Sequence, residues 1–186
     1  MRGGFKCGRI QGVILYIMSE LKNITKESQK DAKNDGKVLV ATVNTCAELE
    51  KLMNDRAIEG IGCSFVKSKK ILKTSDFWTT ISKNDQKIKV IFIDNEFFDN
   101  KNVNFDELNC PKYITITSKT KPRDYEALFY KYSKAGITGI NFDIESVTKG
   151  HLALCAKFNL TTCAYGITFE RQIEKAKELD LNAIQL

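Results

Sequence analysis

Apolar, β-branched runs alternate with helix-like segments from residue 37 to the end of the sequence. Seven of these runs have the composition and length of β-strands. They are VLVATVN (38–44), IEGIGCSF (58–65), IKVIFID (88–94), YITITS (113–118), ITGINFDI (137–144), LTTCAYGI (160–167) and LNAIQL (181–186). Strands that alternate with helices of this size predict right-handed βαβ crossovers and a parallel sheet.

Capping signals and apolar stripes predict helices between several of the strands. In the first of them, Thr45 and Glu48 have the spacing of a capping box. The predicted helices cover residues 45–56, 122–136, 146–159 and 168–180. Seven or eight such units without a Gly-rich phosphate loop favour a closed barrel over a doubly wound sheet.

The predicted fold class is therefore α/β, in the form of a small parallel β/α barrel of the TIM type. One unit is expected to be irregular or missing, because residues 95–111 contain no convincing helical pattern. Residues 181–186 are predicted to form the closing strand. The predicted domains are an N-terminal arm or linker over residues 1–37 and the barrel over residues 38–186.

The N-terminal region contains one apolar run, at residues 13–18, which follows three basic residues and faintly resembles a signal peptide. The run is too short to span a membrane, and no small-residue cleavage site follows it. We expect a leading strand or helix that packs on the barrel, or part of a loosely attached arm. Contacts through this arm are the expected route to a homo-oligomer or to an assembly partner.

Charge and cysteine content argue against several kinds of function. The chain carries 29 Lys and Arg against 23 Asp and Glu, without an Arg-rich cluster, so nucleic-acid binding is not expected. The six cysteines form no C-x-x-C pair, and the single histidine, His151, has no cysteine at zinc-finger spacing. We expect reduced thiols and a cytoplasmic protein, or a virion-associated one if a phage encodes it.

The stretch GITGINFDIES, at residues 136–146, ends an apolar run with two acidic residues. Strand alternation would place Asp143 and Glu145 on one face at the barrel mouth, as a candidate catalytic pair for acid and base chemistry. The stretch resembles the second half of the D-G-x-D-x-D-x-E signature of chitinase-type glycoside hydrolases, in which the last Glu is the acid. Thr138 and Asn141 stand where the first two Asp residues of that signature would be.

A longer stretch, residues 38–186, resembles the glycerophosphodiester phosphodiesterase family. Residues 44–76 are similar to its E-N-T … G-A-D-x-I-E-x-D-V … H-D segment, with Asn44 in the N-T pair and Asp76 as the closing Asp. Residues 136–186 are similar to the end of the family, with its last strands and helices in the same order. The resemblance implies a TIM-type barrel related to enzymes that hydrolyse phosphodiesters with a divalent cation.

Three positions depart from this family's pattern. Gly62 and Ser64 stand where the cation-binding Glu and Asp of E-x-D would be, and Ser75 replaces a catalytic His. Glycine and serine offer no charged ligand for a hard cation, and without the His no acid is in place for the leaving group. The resemblance therefore implies a catalytically silent, phosphodiesterase-like barrel without metal or cofactor, used for binding or as a structural or assembly protein.

The alternative is an active hydrolase of a glycerophosphodiester, with Mg²⁺ or Ca²⁺ as cofactor, or of a glycoside. Its mouth carboxylates would be Asp94, Glu96, Asp143 and Glu145. A third alternative is another small β/α-barrel enzyme, because fold does not fix function. The predicted ligand-binding residues are Asn44, Ser64, Asp94, Glu96 and Ser118.

Overall fold

A computed structural model of the chain describes residues 12–17, 37–54, 61–65, 75–83, 86–98, 108–117 and 124–185. Its strands are β1 (Gly12–Ile17), β2 (Lys37–Thr42), β3 (Ile61–Ser64), β4 (Ile88–Asp94), β5 (Lys112–Ile116), β6 (Gly139–Asp143), β7 (Thr161–Tyr165) and β8 (Ala183–Gln185). Its helices are α1 (Cys46–Asn54), α2 (Ser75–Lys83), α3 (Tyr125–Lys134), α4 (Lys149–Lys157) and α5 (Glu170–Glu178), with a 3-10 helix at Asn95–Phe97. No helix in the described part of the chain is long and apolar enough to cross a membrane.

The eight strands form a closed barrel in chain order. Strands β2 to β8 form a series in which each strand runs parallel to the next. Strand β1 closes the barrel by pairing antiparallel with both β2 and β8. The predicted α/β barrel is thus confirmed, with seven parallel strands and helices between them. Residues 12–17, assigned to the N-terminal arm, form β1, so the leading-strand alternative is the one the structure contains.

Both faces of the parallel strands are buried, which explains their nearly continuous apolar sequence. In β4, Ile91 and Ile93 pack in the outer core with apolar residues of the helices, whereas Val90 and Phe92 belong to a smaller core inside the barrel. Alternation along the strand therefore divides one apolar run between two cores.

The barrel interior is filled by side chains below the mouth. The ring centroids of Phe92 and Tyr113 lie 5.3 Å apart in a stacked arrangement. Tyr113 fits there because the neighbouring strand carries Gly139, where an added Cβ would lie 2.7 Å from Tyr113 Cε1. The same Cβ would lie 2.4 Å from the backbone oxygen of Thr161. Gly139 is therefore required by the close approach of two strands and one ring.

Side-chain caps fix the start of three helices. Thr45 Oγ1 accepts a hydrogen bond from the Glu48 amide at 3.1 Å, and Glu48 Oε2 accepts one from the Asn44 amide at 2.8 Å. Asp124 caps α3 by accepting from the Ala127 amide at 3.0 Å. At α4, the Thr148 amide donates to His151 Nδ1 at 3.3 Å. These bonds satisfy amides that the first turn of a helix leaves without intrahelical partners.

The single histidine also packs against aromatic rings. The His151 ring is stacked on Phe142, with ring centroids 5.3 Å apart, and contacts Tyr125 at 4.6 Å. It therefore packs between α4, β6 and α3 and joins these three elements.

One element differs from the sequence pattern, and one irregular unit agrees with it. Helix α2 was not predicted, and it begins at Ser75 and Asp76, the two residues matched to the H-D pair of the phosphodiesterase pattern. The unit after β4 is irregular as predicted in its described part, since only the 3-10 helix follows Asp94.

A methyl group at residue 139 is expected to destabilise the barrel. Gly139→Ala would force Thr161 and Tyr113 to move, and overpacking of this kind costs about 1–3 kcal/mol. The measurement is the free energy of unfolding in urea, at matched protein concentration.

Gly150→Ala is the matched control. An added Cβ at Gly150 lies 3.6 Å from Thr148 Oγ1, an ordinary contact, and replacing an exposed helical glycine by alanine stabilises by about 0.5–1 kcal/mol. Equal unfolding midpoints for the two variants would contradict the packing described for Gly139.

Candidate functional site

The carboxyl ends of the parallel strands meet at one end of the barrel, which we call the mouth. Asp94, Asp143, Tyr165 and Gln185 are the last residues of β4, β6, β7 and β8. Asp94 is buried, with 6% of its surface exposed, and the other three are half-buried. Polar side chains therefore replace the apolar ones of the lower interior at this end.

A hydrogen-bonded polar group lies below the mouth. Asn141, in register with Thr115 on β5, is only 1% exposed. Its Nδ2 donates to Thr115 Oγ1 at 3.1 Å and to Gln185 Oε1 at 3.2 Å. Its Oδ1 is buried without a hydrogen-bond partner, which is costly for an amide oxygen. The interior thus contains an acceptor that a hydrogen-bond donor would stabilise.

The side chain of Tyr165, on β7, reaches across β6 to β5. Its hydroxyl donates to the backbone oxygen of Ile116 on β5 at 3.1 Å, although Tyr165 itself lies on β7. The pKa of Tyr165 is raised to about 12, first by burial and then by the negative charges of Asp143 and Asp94. Both carboxylates therefore act on the same phenol, and the local potential at this hydroxyl disfavours a further negative charge.

Each of these two aspartates closes a turn at the end of its strand. Asp94 Oδ1 accepts from the Glu96 amide at 3.2 Å, and Asp143 Oδ1 accepts from the Glu145 amide at 2.9 Å. The same D-x-E spacing thus gives the same local structure on β4 and β6, since Asp favours turns that bond the amide two residues on.

Glu145 does not converge with Asp143. Strand β6 ends at Asp143, and residues 144–146 form a turn, so strand alternation does not extend to Glu145. Glu145 is exposed, and its Oε1 accepts from Gln172 Nε2 on α5 at 2.6 Å. The expectation of both carboxylates on one strand face therefore fails at the strand end, and the structure places them in different surroundings.

Gln172 ties the loops after β6 and β7 together. Besides donating to Glu145, its side-chain oxygen accepts from the backbone amides of Thr168 at 2.8 Å and Phe169 at 3.0 Å. Gln172 is only 5% exposed, so these bonds are largely shielded from water. Its helical position gave no signal of this role, because its partner Glu145, in the turn after β6, is 27 residues away.

The remaining predicted ligand-binding residues are spread over different elements. Asn44 is exposed, and its backbone amide belongs to the cap of α1. Ser64 is half-buried at the end of β3, and Glu96 is exposed on the 3-10 helix after Asp94. Ser118 lies outside the described residues.

Three buried cysteine thiols, those of Cys63, Cys155 and Cys163, are not activated as nucleophiles. Burial raises the pKa of Cys63 and of Cys155 to about 12, and it raises the pKa of the interior thiol of Cys163 as well. A nucleophilic cysteine needs a lowered pKa, because the thiolate is the reactive form.

The donor atoms of the described mouth do not fit a phosphodiesterase-type Mg²⁺ or Ca²⁺ site. Such ions take six or more oxygen ligands, usually with several carboxylates. Gly62 and Ser64 leave β3 without a carboxylate. Within the described ranges, no group of three or more His, Cys, Asp or Glu residues is placed to hold a metal ion.

Several solved structures share this fold. The phosphodiesterase PaMucR, in complex with c-di-GMP, superposes with a TM-score of 0.58 at 10% identity, over 94% of this chain and 91% of that chain. A standalone versatile EAL protein from Vibrio cholerae O395, bound to c-di-GMP, gives 0.52 at 11% identity, over 94% and 87%. A candidate glycerophosphodiester phosphodiesterase from Galdieria sulphuraria gives 0.53 at 12% identity, over 87% of this chain and 66% of that chain.

These likenesses show the fold alone, because the identities are low. No protein-family model matches the sequence, and no curated protein matches it. The predicted likeness to a phosphodiesterase-type barrel is confirmed at the level of the fold.

Gln172→Glu is expected to destabilise the protein by about 2 kcal/mol at neutral pH. The new carboxylate would face Glu145, 2.6 Å from the former amide, and two carboxylates at that distance repel. The loss should shrink as pH falls towards about 5, because one of the two then holds a proton. Urea unfolding at both pH values measures it.

The double variant Glu145→Gln with Gln172→Glu tests the pair directly. It restores an amide donor opposite a carboxylate and should recover most of the lost stability at neutral pH. Glu145→Gln alone should change stability by less than about 1 kcal/mol, since residue 145 is exposed. A double variant as unstable as Gln172→Glu would contradict the contact.

Alkaline pH should destabilise the protein partly through Tyr165. Its folded pKa of about 12 exceeds the ordinary value of 10.0, so the unfolded chain loses the proton first. The free energy of unfolding should therefore fall as pH rises from 10 towards 12. Tyr165→Phe should show a shallower fall. Parallel curves of unfolding free energy against pH for the two proteins would contradict this assignment.

Proposed function

We propose that this protein is a catalytically silent, phosphodiesterase-like barrel that binds a polar ligand at its mouth. The observation that carries the proposal is that each of the two mouth aspartates is bonded within a local turn. Asp94 and Asp143 each close a local turn with one carboxylate oxygen, and their charges add to burial in raising the pKa of Tyr165. Among the described residues of the mouth, their arrangement serves loop structure and gives a negative potential, without a positioned proton donor for a leaving group.

The composition of the mouth supports binding of hydrogen-bond donors. Asp94, Asp143, the unpartnered Asn141 Oδ1 and Gln185 Oε1 are acceptors. A phosphodiester presents anionic oxygens, which are also acceptors, so its charge would meet the carboxylates unfavourably. A neutral or cationic ligand with N–H or O–H groups would complement this mouth.

The replacement of the family's E-x-D by Gly62 and Ser64 supports catalytic silence. Both residues lie on β3, the strand that would supply the cation ligands in the family that the sequence resembles. Without a bound cation, nothing in the described mouth offsets the charge that develops during phosphodiester cleavage.

A structural or assembly role through the N-terminal arm is part of the same proposal. Residues 12–17 of that arm belong to the barrel, and the rest of it lies outside the described residues. A cytoplasmic protein, or a virion-associated one if a phage encodes the chain, is the setting proposed from its reduced thiols.

The competing function is a metal-dependent phosphodiesterase. It is favoured by the fold shared with enzymes such as PaMucR and by the convergence of Asp94 and Asp143 near Tyr165. In that case, further cation ligands would come from outside the described residues.

Hydrolysis assays separate the two functions. The purified full chain, with Mg²⁺ or Ca²⁺, should release no product from c-di-GMP or glycerophosphocholine above a protein-free blank. Product release that Asp94→Asn or Asp143→Asn reduces by about a hundredfold or more would overturn the proposal, because such losses indicate removal of a catalytic group.

Binding is tested by thermal shift against a panel of uncharged and cationic polar metabolites. A ligand that raises the melting temperature of the wild-type protein should lose this effect in Asp143→Asn. Gly150→Ala, on the exposed face of α4, is the control that should keep it. Stabilisation only by anionic phosphodiesters would contradict the proposed complementarity.

A further inference from the structure

One level of the barrel interior, just below the mouth, combines polar acceptors with small side chains, and we call it the Asn141 level. Its members are in register on five neighbouring strands: Asp94, Thr115, Asn141, Cys163 and Ala183. Cys163 and Ala183 belong to the core inside the barrel, so the register places the other three on the inner face too. The stacked rings of Phe92 and Tyr113 fill the level beneath it. The two small residues leave space in the Asn141 level that larger side chains would fill.

The side-chain amide of Asn141 is held with its oxygen unsatisfied. Its Nδ2 uses both of its N–H groups, towards Thr115 Oγ1 at 3.1 Å and Gln185 Oε1 at 3.2 Å. Its Oδ1 has no hydrogen-bond partner among the described residues, and Asn141 is only 1% exposed. A buried amide oxygen without a partner costs free energy that a hydrogen bond would recover. A ligand that donates to Oδ1 would therefore remove this cost.

Two carboxylates favour a positive charge on that donor. Asp94 lies in the Asn141 level, two strands away from Asn141, and Asp143 lies two residues beyond Asn141 on β6, one level nearer the mouth. The negative charges of both add to burial in raising the pKa of the Tyr165 phenol, so both act at the same end of the barrel. A cation between them is attracted by both, and more strongly than in bulk water because the surroundings are partly buried.

We propose that the ligand of the mouth is a primary ammonium compound, whose N–H groups donate to Asn141 Oδ1 and whose charge is balanced by Asp143 and Asp94. The ligand class rests on the proposed function, because it is assigned to the same mouth. Asn141 is then a residue that determines specificity, since only a ligand with a hydrogen-bond donor satisfies its buried oxygen.

Other polar groups fit this arrangement less well. A quaternary ammonium carries charge but no N–H, so it would leave Asn141 Oδ1 unsatisfied. A guanidinium has all five donors in one plane, whereas Asn141 and Asp143 lie at different levels of one strand and Asp94 lies on another. An alcohol can donate to Oδ1 but gains little from the two negative charges. An ammonium group is compact, charged and has three donors that point in different directions.

A series of butyl compounds tests the ligand class on the wild-type full chain. Butylammonium, 1-butanol and butyltrimethylammonium share one alkyl chain and differ in charge and in N–H groups. Dissociation constants come from NMR titrations of the ¹⁵N-labelled protein at constant ionic strength. The constant for butylammonium should be at least about tenfold lower than that for either of the other two. The side-chain amide of Asn141 should be among the signals that shift.

Two variants test the residues. Asp143→Asn keeps an oxygen for the Glu145 amide but removes the charge, and it should weaken butylammonium binding at least about tenfold. The double variant Thr115→Val with Asn141→Leu removes Oδ1 together with one partner of the amide. Replacing both members of a hydrogen bond by apolar groups is nearly neutral for stability, so this variant should fold and lose butylammonium binding. Glu174→Gln, exposed on α5, is the control that should keep the wild-type dissociation constant.

The possible outcomes separate the ligand class from the proposed function. Equal affinity for butylammonium and 1-butanol would overturn the ammonium class and leave a polar-ligand function standing. Butylammonium binding that the double variant retains, or no shift of any signal with butylammonium, would also overturn it. The butyl series uses the wild-type chain, so it decides the ligand class whether or not the double variant folds. Failure of the proposed function would appear separately, as metal-dependent phosphodiester hydrolysis by the same protein.

Discussion

Closure of the barrel by one antiparallel strand is the constraint on which the rest of the structure depends. Strands β2 to β8 form a parallel series whose two outer strands would otherwise be edges with unpaired amides and carbonyls. Strand β1 pairs with both of them. Its partners include Ala41 on β2 and Gln185 on β8. A closed barrel of this size has an interior just wide enough for side chains, so a packed lower interior follows from closure.

The strands and most helices could be predicted because their signals are local. Apolar runs predicted β2 to β8, and the Thr45 cap predicted a helix that the structure contains. Helix α2 was missed because its sequence, SDFWTTISK, is rich in aromatic and β-branched residues, which have low helix propensity. The pairing of β1 with both β2 and β8 depends on contacts across most of the chain, which no local pattern reveals.

The site was predictable only as far as strand alternation extends. Asp143 lies at the mouth because it ends β6, whereas Glu145 follows the turn and meets Gln172, far along the sequence. A signal for the missed residues was present: Asn141 and Gln185 are polar residues within strands that are otherwise buried on both faces. Such residues need partners, and their partners are each other. The crossing of Tyr165 to Ile116 required the strand order, which only the structure supplies.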